Sequence, residues 1–116
     1  QVIRFVASTL QRLALKDHLV ARYGGEEFAV IMPRVSAIQA LPVLDRMRKA
    51  IEAKTLMRKS TNEALGNVTV SFGVADLQLD EKSEGLIMRT DELLYQSKRN
   101  GRNQVTHPGI AGQNAA

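Results

Sequence analysis

The chain has 116 residues, 44% of them hydrophobic and 24% charged, enough for one domain to bury a core without covalent staples. It contains no cysteine, which excludes a disulfide framework and a Cys-ligated zinc site and fits a reducing compartment; no apolar run nears the roughly 18 residues of a membrane span. The formal net charge of +4 admits anionic partners, although an excess of this size is also what an ordinary solvated surface carries.

Ile3, Val6, Leu10 and Leu13 recur at spacings of three and four and predict a helix over about residues 1 to 16. No Ser, Asp or Pro precedes it as a start signal, which predicts a chain that has lost its beginning. Leu19 to Tyr23 and Glu27 to Met32 are β-prone runs on either side of Gly24, Gly25 and Glu26, the pattern of an antiparallel hairpin with a glycine-led turn. Pro33 ends the second run, and Ser36 is placed to cap a helix with apolar positions at Ala37, Ala40, Leu44, Met47 and Ile51. Pro42 lies inside that pattern and predicts a kink or a late helix start.

Lys54 to Asn67 is polar, with Gly66-Asn67 as a turn signal, and reads as a loop or small hairpin. In "NVTVSFGVA", Val68, Val70, Phe72 and Val74 alternate with Thr69, Ser71 and Gly73, predicting a strand with one buried and one lighter face. A final helix is expected from about Ser83 to Asn100, with Ile87, Thr90, Leu94 and Ser97 along one side and Gly101 ending it. A short edge strand at Asn103 to Thr106 follows, and residues 107–116 read as a flexible tail. The order argues a single α+β domain over residues 1–106, a sandwich of helices on one face of a mainly antiparallel sheet, resembling the ferredoxin-like plan without its first strand.

Two constellations carry chemistry. Gly24 and Gly25 allow a phosphate or ribose to approach the backbone, and Glu26 and Glu27 beside them are the oxygen ligands that a hard divalent cation takes while it also holds polyphosphate. The bland alternative is a hairpin turn whose glycines supply positive φ and whose glutamates are only solvated. Lys98 and Arg102, four apart across Gly101, can reach one anion; alternatively they are cations favouring a helix C-terminus.

"RYGGEEF", "VTVSFGVA" and "DELLYQSKRNGRNQV", in this order and at these intervals, resemble the GGDEF family of diguanylate cyclases in its GGEEF variant, over residues 1 to about 106. The resemblance implies a nucleotide-cyclase-type fold and condensation of two GTP into cyclic di-GMP and two pyrophosphates by an antiparallel homodimer. It further implies Glu26 as a Mg²⁺ (or Mn²⁺) ligand and base for the ribose 3′-hydroxyl, with Glu27 assisting at the metal. Gly24 and Gly25 would lie against the nucleotide, and Lys98 and Arg102 would hold the β- and γ-phosphates. In the family a preceding strand and helix carry a second metal-binding Asp and the residues that read guanine; on this reading the chain is the C-terminal two thirds of the domain, and the fragment alone is expected to be inactive. The family's inhibitory Arg-x-x-Asp motif is replaced by Leu15 and His18, with Arg12 and Asp17 out of register, whereas Arg46 matches its secondary arginine. An upstream sensory or receiver domain and a cytoplasmic location, with any membrane anchor outside this chain, are also implied.

Two alternatives remain at this stage. One is a non-catalytic module of the same family acting as a nucleotide receptor or dimerisation element, against which the intact acidic signature argues. The other is an RNA-binding ferredoxin-like module, which needs surface aromatics that a chain with 4% aromatic residues does not supply; no nucleic-acid partner is expected.

Overall fold

The computed structural model describes residues 2–58 and 63–109. The elements run α1 (Val2–Leu13), β1 (Leu19–Gly24), β2 (Glu27–Ile31), α2 (Ala37–Glu52), β3 (Thr55–Arg58), β4 (Glu63–Asn67), β5 (Phe72–Gly73), α3 (Ser83–Arg99) and β6 (Val105–Thr106). The fold is α+β, with the expected order, and the polar segment after α2 is the small hairpin β3–β4.

The core sits between α1 and α2. Val6 and Leu10 of α1 meet Ala40, Leu44, Met47 and Ile51 of α2, and all five apolar positions predicted on α2 are buried. Met47 and Ile51 are fully shielded, each contributing about 2 kcal/mol of burial. Val20 and Phe28 of the first hairpin, Val68, Val70, Phe72 and Val74, and Val105 of β6 pack against this cluster. The helix begins at Ala37 and runs unbroken past the exposed Pro42, so the late start expected there does not occur. Its start is fixed by a capping box: Ser36 Oγ accepts from the Gln39 amide at 3.1 Å, and Gln39 Oε1 accepts from the Ser36 amide at 2.9 Å.

Several expectations need correction. The run from Val68 to Val74 half-buries the predicted face, but only Phe72–Gly73 joins a ladder, in which its partner β6 runs parallel to it. Among the described residues the strands form three separate two-stranded ladders, not one continuous sheet, because a strand is hydrogen-bonded only where a neighbour lies alongside. Gly66, read as a turn, lies inside β4 with φ 83° at a register shift against Leu56 and Met57, the signature of a bulge. Ile87, placed on one side of α3 with Thr90, Leu94 and Ser97, is exposed, whereas Thr90 and Leu94 are half-buried, as are Leu86 and Leu93, and Ser97 is buried. Residues 107–109, read as the start of a tail, are half-buried; 110–116 lie outside the described residues.

The position of α3 is set by close packing on β5. A Cβ at Gly73 would stand 2.3 Å from the Leu94 nitrogen and 2.5 Å from the Thr90 oxygen, so only glycine lets the strand touch the helix backbone. One turn further on, the buried Ser97 hydroxyl donates to the Phe72 carbonyl at 2.7 Å and lies 2.6 Å from Thr106 Oγ1, joining α3 to both β5 and β6. Among the described residues no helix is long and apolar enough to cross a membrane.

Candidate active site

The β1–β2 hairpin pairs Leu19 with Ile31 through Arg22 with Phe28, shifts register past Tyr23, and closes with Gly24 opposite Glu27. Gly25 and Glu26 form the two-residue turn. Gly25 takes φ 49° and Glu26 is not in the left-handed region, the pattern of a turn that requires glycine at its first central position. Gly24 is different: its φ is not positive, and a Cβ built there meets nothing within 4 Å. The fold itself does not demand a glycine at that position.

Arg22 holds the turn from behind. Its Nε and Nη2 both donate to the Gly25 carbonyl, at 2.9 and 2.7 Å. Because a trans peptide directs its C=O and N–H to opposite sides, this bond turns the Glu26 amide away from Arg22. Arg22 lay inside the quoted signature yet carried no assigned role. An arginine two residues before a glycine pair is the signal that could have found it.

The end of α3 faces the hairpin tip. Lys98 Nζ lies 3.6 Å from Glu27 Oε2, with both side chains partly exposed, so of the four charged residues singled out in the sequence these two come together. Glu26 is exposed beside them. The helix closes with Gly101 at φ 114° and the Arg102 amide donating to the Ser97 carbonyl at 2.8 Å, which satisfies one orphan carbonyl of the last turn. An anion here meets the negative end of a helix dipole, which the charges of Lys98 and Arg102 offset. The Arg102 side chain is exposed and makes no ion pair among the described residues; its backbone φ is 62°.

Behind the hairpin a cavity of about 450 Å³ opens against α1, its lining including Arg4, Gln11, Arg22 and Phe28. Among the described residues no group of three His, Asp or Glu side chains could enclose a metal ion. The adjacent carboxylates Glu26 and Glu27 instead suit a hard cation such as Mg²⁺, which commonly takes one or two carboxylates and completes its shell with waters and substrate phosphates. Arg46 is exposed on α2 and has no ion-pair partner among the described residues. Leu15 and His18 form their own small turn, the Leu15 amide donating to His18 Nδ1 at 3.3 Å, while Asp17 is taken up by an ion pair with Arg34.

The family model for the diguanylate cyclase GGDEF domain matches residues 1–104. Diguanylate cyclase A of Treponema denticola is 40% identical over 106 residues, covering 90% of this chain and 28% of the relative. The GGDEF domain of DgcB from Caulobacter crescentus, solved in complex with c-di-GMP, superposes with a TM-score of 0.89 at 47% identity over 92% of this chain and 63% of that one. The active GGEEF domain of a Vibrio cholerae diguanylate cyclase gives 0.81 at 26% identity, over 94% and 67%. The chain thus spans under a third of the length of that curated relative. By sequence over nearly its whole length and by fold, it belongs to the GGDEF family of diguanylate cyclase domains.

Proposed function

We propose that the protein condenses two GTP into cyclic di-GMP and two pyrophosphates. The observation that supports this is the approach of Lys98 to Glu27, the second carboxylate after the Gly24–Gly25 pair, where the glycine backbone is open. In each half-reaction the ribose 3′-oxygen of one GTP bonds to the α-phosphorus of the other. The bond from that phosphorus to the bridging oxygen breaks, pyrophosphate leaves, and the hydroxyl proton passes to a base. Glu26 is the proposed acceptor. Glu26 and Glu27 would hold a divalent cation, Mg²⁺ or Mn²⁺, which when bound neutralises phosphate charge. Gly24 and Gly25 leave room for the nucleotide. Lys98 and Arg102 would bind the β- and γ-phosphates and stabilise charge on the leaving pyrophosphate, so the protein acts by positioning and electrostatics rather than covalently.

Two such domains facing each other would supply the two nucleotides, so a homodimer is part of the proposal, as is a cytoplasmic site where GTP is present. The relative solved with c-di-GMP supports product binding as well. Arg46, without an Arg-x-x-Asp partner motif, would give at most weak product inhibition. The test is incubation of the complete protein with GTP and Mg²⁺, following cyclic di-GMP and pyrophosphate. Glu26→Ala and Glu27→Ala should each abolish product, and activity within about tenfold of wild type, roughly 1.4 kcal/mol of barrier, would refute the carboxylate roles. A non-catalytic receptor would bind nucleotide in the same experiment and release no pyrophosphate.

A further inference from the structure

The loop that follows α3 holds two consecutive non-glycine residues in the left-handed region, Arg102 at φ 62° and Asn103 at φ 51°. L-residues avoid this conformation, and it persists where surrounding bonds over-determine it. Asn103 is bonded through each of its polar groups. Its Nδ2 donates to Glu52 Oε2 at 2.8 Å, its Oδ1 accepts from Arg48 Nη1 at 3.0 Å, its carbonyl accepts from the same nitrogen at 3.5 Å, and its amide donates to Ser71 Oγ at 3.0 Å. Arg48 is in turn fixed by Asp45, which accepts from Nε at 3.0 Å and Nη2 at 2.7 Å. The guanidinium is mostly buried, its side chain 16% exposed. Arg102, by contrast, keeps its backbone tied and its side chain exposed.

We infer that Arg48 is a positioning residue: with Glu52 it clasps Asn103, holds Arg102 in the left-handed backbone, and so sets the affinity for the terminal phosphates of the nucleotide. This rests on the proposed role of Arg102. Two of the three partners of Asn103, Arg48 and Glu52, come from the last turns of α2 and the third, Ser71, from the segment before β5, so the latch lets α2 determine where a site residue on the loop after α3 stands. A latch of charged and amide groups also fixes orientation, which an apolar contact at the same place would not.

The experiment compares wild type, Arg48→Met, Arg102→Ala and the double variant in the complete protein, measuring affinity for GTP and for GMP, which lacks the β- and γ-phosphates, together with amide hydrogen exchange without ligand. Loss of a charge-assisted latch should weaken GTP about tenfold with GMP unchanged. Exchange at the Arg102 and Asn103 amides should accelerate, and Arg48→Met should add nothing in the Arg102→Ala background. Equal weakening of GTP and GMP, or an undiminished effect in that background, would reduce Arg48 to general support of the fold and overturn the inference. If Arg102→Ala itself leaves GTP affinity intact, the phosphate assignment fails while the latch is judged on exchange alone, and unchanged exchange in Arg48→Met overturns it. Should Arg48→Met not fold, Arg48→Lys, which keeps the charge without the fork, and Asn103→Gly, which accepts the backbone without the side chain, give the same comparison.

Discussion

Gly24→Ala separates the demands of the fold from those of the site. Gly24 has no positive φ, and an added methyl meets nothing within 4 Å, so the folded state accommodates it without strain. Replacing glycine at a compatible position restricts the unfolded chain and should stabilise by about 0.4–1 kcal/mol, raising Tm by roughly 2–6 °C. If that open space is where the nucleotide lies against the backbone, the same methyl intrudes on it, and kcat/KM should fall at least about tenfold, roughly 1.4 kcal/mol. Stability and activity would move in opposite directions. Gly25→Ala should lose both, because φ 49° at Gly25 makes a side chain costly there by about 1 kcal/mol or more. The assays are a thermal melt and initial rates of cyclic di-GMP formation with Mg²⁺ and GTP. Gly24→Ala with kcat/KM within about threefold of wild type would refute the idea that substrate contacts this backbone.

At Gly73 the outcome should reverse: a methyl 2.3 Å from the Leu94 nitrogen must push α3 off β5, costing about 3 kcal/mol or more by denaturant titration, and a loss under about 1 kcal/mol would show that the helix is not seated as described. Lys98→Met removes a partly exposed contact with Glu27 and should change stability by less than about 1 kcal/mol, while pyrophosphate, as a competitive inhibitor, should bind at least about tenfold more weakly; unchanged inhibition would remove Lys98 from the site. Acid stability is set in part by Glu81, whose pKa the Arg89 hydrogen bonds, and then the Gln78 amide, lower from 4.5 to about 2. The folded state therefore binds fewer protons between these values: the contribution is complete above pH 4.5 and is lost as pH falls towards 2. Glu81→Gln should flatten the denaturation midpoint across that window, and an unaltered pH profile would count against the pair.

Local rules made the helices and the hairpin legible in the sequence. The stripe on α2 reads correctly at all five positions because helical periodicity is a property of the backbone, and Ser36 and Gly101 act at the ends where such residues close orphan groups. The acidic turn was visible for the same reason, two glycines between alternating apolar runs. What the sequence concealed depends on partners far along the chain. The β5–β6 ladder is short and parallel because its extent is fixed by what lies alongside Phe72, not by the alternation from Val68 to Val74. Gly73, read as a lighter position on a strand, is the point where α3 touches the backbone, and only the fold reveals that Thr90 and Leu94 come there. The same holds for Arg48, whose partner Asn103 is 55 residues away.

The two halves of the site are consequently held in different ways. The acidic half is local: Glu26 stands on, and Glu27 directly after, a turn set by Gly25 and by Arg22, three residues from the carbonyl it grips. The basic half is fixed from a distance, with α3 seated on Gly73, stitched by Ser97 to β5 and β6, and its following loop clasped by Arg48 and Glu52 of α2. Among the described residues one partly exposed ion pair, Lys98 to Glu27, joins them across the space between, and such a contact is worth less than about 1 kcal/mol. A polyphosphate and its cation entering there would replace that weak link by turning Lys98 to phosphate and Glu27 to metal, with little to break beforehand. On the proposed function each half is positioned separately, and the energy of binding would be left for bringing reacting groups together.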